Sequence, residues 1–311
     1  PGAASGALRL GRGAGVSVRQ WRAADDLDRV RLASCAGQGA GCLPLAAEVG
    51  GGADPDPAVA QQAFRLAARR LLGLLPPGID RVRTCGACGQ PLAAYPSRVR
   101  AAHLVACGSR PPGAARGAHA YHAPHHAVAW QLQRLLEASG FEAIPEPAGL
   151  LPGSRERPAD VAAFHISDAS SFIAIDVRVV RLHIASALAD EVAKPGCAVE
   201  GVETAKRGLY ESRCIAQGGV FVPFVINEFG KLGASAQWLL SLLAIRAAER
   251  QRGDFRAGRN LMARAARIRG GWRADISRAL HSTIVEGQRQ RLVASLRVDV
   301  DSAGLERDLG A

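Results

Sequence analysis

Lysine is nearly missing from this chain. Lys194, Lys206 and Lys231 are three among 39 basic residues, so 36 of them are arginine, and Met occurs once. Aromatic residues make up 5%. An arginine-, alanine- and glycine-rich profile fits a polyanionic partner or nucleotide bias in the coding sequence, so composition alone does not choose between them. No run of about 18 apolar residues occurs, which excludes a long apolar helix able to span a bilayer, and no membrane partner is expected. No signal peptide is legible. Seven cysteines, an odd number at irregular spacing, argue against a secreted disulfide framework. Pro1 rather than Met stands first, and the reading is a piece of a longer product.

With 311 residues, 48% of them hydrophobic, the chain has material for about two domains with a sizeable core. The formal charge is +11 and the sequence pI about 10.1. Residues 1–56 are Gly- and Ala-rich, and Cys35 and Cys42 there have no nearby His and read as free thiols. Residues 58–74 read as an amphipathic helix through Phe64, Ala68, Leu71 and Leu72. A second helix spans about 126–137, with Val128, Leu132, Leu135 and Leu136 on one face. An extended piece follows at 141–144. Further on come a helix over 198–216, a buried strand over 220–226, a helix over 234–248 and a last helix over about 281–296. Nine arginines crowd residues 246–273, either to bind phosphate or as a solvated face. The order helix, strand, hairpin, helix, strand, helix predicts an α/β or α+β fold with a mixed sheet and helices on its faces.

Two constellations carry chemistry. The first is Cys85-x2-Cys88 followed by His103-x3-Cys107. Thiolates and imidazole at these spacings suit tetrahedral Zn²⁺, with His119 or His122 as a possible replacement ligand. So small a knuckle has little core and needs its metal to fold. The second is a hairpin over 160–180, turning at Ser167 to Ser171. Its symmetry puts Asp160 opposite Asp176, with Arg178 on the same face as Asp176. Two carboxylates so close repel unless a proton or cation sits between them, and oxygen ligands suit Mg²⁺. Glu146 reads as a solvent-facing loop acid, with a weaker reading as a supporting metal ligand. Trp130 and Trp238 fall in helical apolar patterns and read as core. His126 receives no role.

These motifs, in this order, with a His pair opening a helix, Glu146-Pro147, Arg157-Pro158-Ala159-Asp160 and Ile175-Asp176-Val177, resemble the C-terminal part of certain non-LTR retrotransposon polyproteins. Those carry a CCHC zinc knuckle and then a restriction-like endonuclease of the PD-(D/E)XK type. The resemblance covers roughly residues 60–296 and includes Phe64-Arg65, Gly149 to Arg155, Lys206-Arg207 with Tyr210, and Phe221-Val222-Pro223. It implies a restriction-endonuclease-like mixed sheet flanked by helices. It divides the chain into a trailing, partly disordered segment of the reverse transcriptase region (1–80), a zinc knuckle and linker (81–124), the endonuclease domain (125–248) and a basic helical extension (249–311).

Carried over by position, Pro158 and Asp160 match the Pro-Asp element with one Ala inserted, and Asp176 matches the second acid. His125 matches the His of an Arg-His pair, and Lys206 and Tyr210 match a Lys and Tyr of the following helix. The implied activity is Mg²⁺-dependent hydrolysis of a DNA phosphodiester, nicking a target to prime reverse transcription. Asp160, Asp176 and the Val177 carbonyl would hold the metal. Target DNA, element RNA and the rest of the polyprotein are the implied partners, and the nucleus, reached from the cytoplasm, the implied location. The chain departs from the pattern at Arg178, where the superfamily has Lys, at Pro124, where Arg is expected before His125, and at Leu209. Arginine stabilises phosphate charge but does not give up a proton, so Lys206 becomes the candidate amine. The alternative reading is a catalytically inactive DNA- or RNA-binding remnant. A Lys206 amine within about 4–6 Å of the carboxylates favours the enzyme.

Overall fold

The computed structural model describes residues 66, 69–70, 74–107, 122–152, 156–165, 168–182, 188, 191–251 and 260–302. Cys35, Cys42 and most of the helix expected over 58–74 lie outside the described residues. Helix α1 runs Ser97–Ala106, and α2 runs Ala123–Ala138 with Pro124 in its first turn, where a missing N–H costs nothing. Strands follow at β1 Phe141–Pro145, β2 Val161–His165 and β3 Asp168–Val180, then helix α3 Cys197–Ile215, strand β4 Gly219–Asn227, and helices α4 Ala234–Arg250 and α5 Leu261–Ser302.

The four strands form one mixed sheet in the order β1-β2-β3-β4. β1 pairs antiparallel with β2, β2 antiparallel with β3, and β3 parallel with β4 across the α3 connection. The hairpin register pairs Val161 with Ile175 and Phe164 with Phe172, with an irregularity at Phe164/His165. Pro223 opposes Asp176 in β4, and β4 tolerates a proline because it is an edge strand.

The period-two rule sorts β3 and β4 between two faces. Ile175, Val177, Val222, Phe224 and Ile226 join the large core made with α2, α4 and α5. Phe172, Ala174 and Phe221 turn the other way, onto Cys214 and Tyr210 of α3, while Val180 and Val225 meet Val199 on the same face. Asp176 therefore lies on the α3 face of the sheet. Each fully buried Leu, Ile or Phe contributes on the order of 1.5–3 kcal/mol, so this double cover makes β4 buried almost throughout.

Helix α5 is far longer than the helix expected over 281–296. Gly270 and Gly271 lie inside it with open space around them, and tertiary packing overrides their low helix propensity. Its buried stripe mixes Ile276, Leu280, Ile284 and Leu292 with His281, Gln288, Arg291 and Ser295. That polar admixture weakens the hydrophobic period that sequence reading relies on. At its far end α5 reaches the Cys-x2-Cys turn: the Gly86 amide donates to Ser295 Oγ at 2.9 Å, and a Cβ on Gly86 would stand 2.4 Å from the Ala294 carbonyl carbon. The two glycines of that turn therefore serve different ends. Gly89 supplies a left-handed φ of 74°, whereas Gly86 admits the helix backbone.

Two predictions follow from α5. Gly86→Ala must push α5 off the turn, a cost of about 1–3 kcal/mol, measurable as a lower urea midpoint with unchanged denaturant dependence. His281 is fully enclosed, and burial holds its imidazole down at about 4, Arg70 lowering it further, while its Ser277 hydrogen bond and nearby Glu228 work the other way. Between about pH 6.5 and 4 the unfolded chain then binds the extra proton, so stability falls as the pH is lowered through that window. This group alone removes about 2 kcal/mol between pH 8 and pH 5, and His281→Leu flattens that part of the urea-denaturation pH profile.

Candidate functional site

The site forms where the start of α2, the start of β2, the middle of β3 and one face of α3 converge. Asp160 precedes β2 and is fixed on both sides: its amide donates to Ile175 O at 2.8 Å and its carbonyl accepts from the Glu146 amide at 2.7 Å. Its Oδ2 accepts from the Val177 amide at 2.6 Å and lies 3.1 Å from His125 Nε2. Asp176, two residues before Arg178 on the same face of β3, is met from above by α3, where Lys206 Nζ stands 2.6 Å from its Oδ2. Asp176 Oδ2 and His125 Nδ1 are buried without a hydrogen-bond partner among the described residues.

The two carboxylates respond differently. Burial lifts Asp176 above the usual carboxylate range; Lys206 pulls it down, but adjacent Asp160 adds to the rise. Burial pushes Asp160 up as well, yet its His125 hydrogen bond and charge, the Val177 amide and Lys206 outweigh that and hold it below the usual range. The Asp160 hydrogen bond in turn raises His125 above its ordinary value against the effect of burial. Such a split is the physical signature of two acids sharing one site.

The residues singled out in the sequence do not all converge. Asp160, Asp176, Lys206, His125 and Arg178 line one cleft of about 580 Å³. Arg178 is exposed there. Tyr210, one turn beyond Lys206, packs its ring on Phe221 at 5.6 Å between centroids and carries the Lys206 amine 5.9 Å above its own ring, so it supports Lys206 from below. Glu146 borders the cleft with its carboxylate 2.9 Å from Arg157 and a φ of 44°, a left-handed conformation rare outside glycine. His122 and His126, which received no catalytic role, also line the cleft. Trp130 and Trp238 are not core: they are 59% and 51% exposed, because each sits on the helix face away from its apolar stripe.

The second constellation is assembled. The ligand atoms of Cys85, Cys88, His103 and Cys107 all lie within 4.8 Å of one another. Cys85 and Cys107 sulfurs are 3.8 Å apart, and Cys88 Sγ is 3.4 Å from His103 Nε2. Tetrahedral Zn²⁺ with Zn–S of about 2.3 Å and Zn–N of about 2.0–2.1 Å requires ligand separations of about 3.8 Å and about 3.5 Å. This Cys3His cluster could hold a metal such as zinc. Of the alternative ligands, His122 lies at the cleft instead, and His119 lies outside the described residues.

Burial pushes the Cys85 thiol up to about 12, backbone amides of the turn opposing it and Cys107 adding to the rise. A bound cation is therefore what makes a thiolate there. Burial also lowers His103, which favours the neutral imidazole that ligates. Three thiolates around Zn²⁺ leave one net negative charge, and the buried Arg291 guanidinium stands beside it, donating to Leu104 O and, at 3.4 Å, to Val105 O. Sequence reading missed Arg291, since nothing in its local pattern marks an arginine that closes a knuckle about 200 residues upstream.

In comparisons with known proteins, no family model, no curated protein and no solved structure matches the chain.

The cluster makes a direct prediction. Purified protein carries about one zinc per chain by elemental analysis, and Cys107→Ser loses it together with several degrees of melting temperature. A folded, metal-free wild-type sample would sink the assignment.

Proposed function

We propose that this chain carries a Mg²⁺-dependent DNA endonuclease centre on a restriction-endonuclease-like sheet, the target-nicking module of a retrotransposon-derived reverse transcriptase polyprotein. The carrying observation is the placement of Asp160 and Asp176 on paired segments at one cleft, with the Lys206 amine 2.6 Å from Asp176. Hard carboxylate oxygens suit Mg²⁺, and Asp176 Oδ2, buried and facing the Lys206 amine at 2.6 Å, keeps a further lone pair that a cation would take. When bound there, the ion supplies Lewis acidity and a more acidic water.

The chain's own groups do the rest. His125 and the Val177 amide hold Asp160 in one orientation. Lys206, kept over Tyr210, sets a positive charge at the reacting phosphoryl group, where it stabilises the charge that builds in the transition state. Arg178, exposed at the same mouth, grips a flanking phosphate, a task that suits its fixed charge. The amine displaced from position 178 is thus supplied by the next helix.

A catalytically silent DNA- or RNA-binding remnant is the second reading. One observation favours it: each carboxylate already faces a nitrogen of the chain, Asp160 the His125 imidazole and Asp176 the Lys206 amine, and magnesium must compete with both.

Nicking of supercoiled DNA by the purified chain with Mg²⁺ separates the two. The nuclease reading expects Asp160→Ala and Asp176→Ala at background and Lys206→Met lower by roughly a hundredfold to a thousandfold. Equal cleavage by all four proteins would end it, and binding without cleavage by the wild type would establish the remnant.

A further inference from the structure

Helix α2 presents two opposite faces. Val128, Leu132, Leu135 and Leu136 are buried in the main core. On the far side His122, at the N-cap, then His126, Trp130 and Arg134 recur every four residues, and all four are exposed. Residues four apart are neighbours on a helix surface, so these form a single ridge about 18 Å long at 1.5 Å per residue. Its groups are flat or cationic throughout. The His122 and His126 rings lie 6.0 Å apart between centroids, and the Arg134 guanidinium sits 4.9 Å from the centre of the Trp130 ring.

The ridge leads into the site described above. His122 and His126 line the carboxylate cleft. A second groove, of about 320 Å³, joins Trp130 to His126, Glu146 and Asp160. We propose that this ridge is a stacking track for unpaired nucleotides, with Trp130 as the platform for a base flanking the bond held at Asp160 and Asp176. The proposal rests on the nuclease reading in placing the scissile bond there.

Four observations select this occupant. A tryptophan ring left mostly in water on an otherwise well-sorted amphipathic helix has no packing purpose. An arginine beside an aromatic ring, next to an apolar groove wall, is the arrangement that holds a base by stacking and its phosphate by charge. The ridge is also one residue wide, whereas a stable protein interface needs about 800 Å² on each side with an apolar centre. A net charge of +11 favours the polyanion.

The test uses the full chain carrying Asp160→Asn, so that binding is read without cleavage, with a dye-labelled 12-nucleotide single strand and a 20-base-pair duplex at fixed salt. Trp130→Ala should weaken single-strand binding roughly tenfold to hundredfold, the range that base–aromatic stacking spans, while duplex affinity changes less than threefold. Trp130→Phe should recover most of the loss. Arg134→Ala should shallow the salt dependence by about one phosphate contact, and Trp130→Ala should leave it unaltered. A melting curve for each variant checks folding, which the exposure of both side chains predicts to be intact.

Wild-type-like single-strand binding by Trp130→Ala overturns the track, as does an equal loss on duplex and single strand. If the wild-type protein fails to nick yet shows the Trp130-dependent single-strand binding, the nuclease reading falls and the track stands. If it nicks and Trp130→Ala binds like the parent, the track alone falls.

Discussion

Two carboxylates held together away from bulk water are the constraint around which the cleft is built. Asp160 and Asp176 repel, and burial adds to the cost of charging either. The fold answers from several directions at once. The Val177 amide of the neighbouring strand, His125 from the start of α2 and Lys206 from α3 all point inward. Each comes from a different element, so the cleft exists only when the hairpin, the preceding helix and the crossover helix are all docked. A single salt bridge at the surface would be worth little; here the partners matter because they decide which acid keeps its proton.

The same logic recurs at the cysteine cluster. Three sulfurs and an imidazole converge beside a small apolar cluster, larger than expected from the motif alone, in which Cys85 and Cys107 pack with Ile79, Val82, Leu92, Leu104 and Leu292, and the buried Arg291 supplies the countercharge that a thiolate-rich centre requires. In both places the polar chemistry is enclosed by elements distant in sequence, and in both an arginine or lysine from a later helix completes what the local motif began.

Much of this was legible in the sequence, because the features that dominate are local. The opposition of Asp160 and Asp176 could be read from symmetry about Asp168, but the turn itself is shorter than the polar run Ser167 to Ser171 suggests: β3 starts at Asp168, which pairs with His165 across a register irregularity. Helices α2, α3 and α4 carry clean periodicity, left-handed Gly140 and Gly218 follow the first two, and the mixed α/β sheet follows from the element order. What escaped detection is non-local or polar. Helix α5 hides behind Gly270 and Gly271 and a buried stripe that includes His281, Gln288 and Arg291. Trp130 and Trp238 look like core on hydrophobicity alone, since a count of apolar residues does not say which side of a helix meets the sheet. The reach of Lys206 to Asp176 is a distance between elements, which no spacing along the chain encodes.

Gly86 and Ser295 touch across 209 positions. That one contact makes the Cys-x2-Cys turn wait for α5. During synthesis the Cys3His cluster can gather early, but the wall that shields it arrives only when α5 has left the ribosome, so its thiols spend that interval open to solvent. Long sequence separation also slows the final closure. Two segments far apart in sequence are thus stitched together, with the hairpin cleft lying between them along the chain.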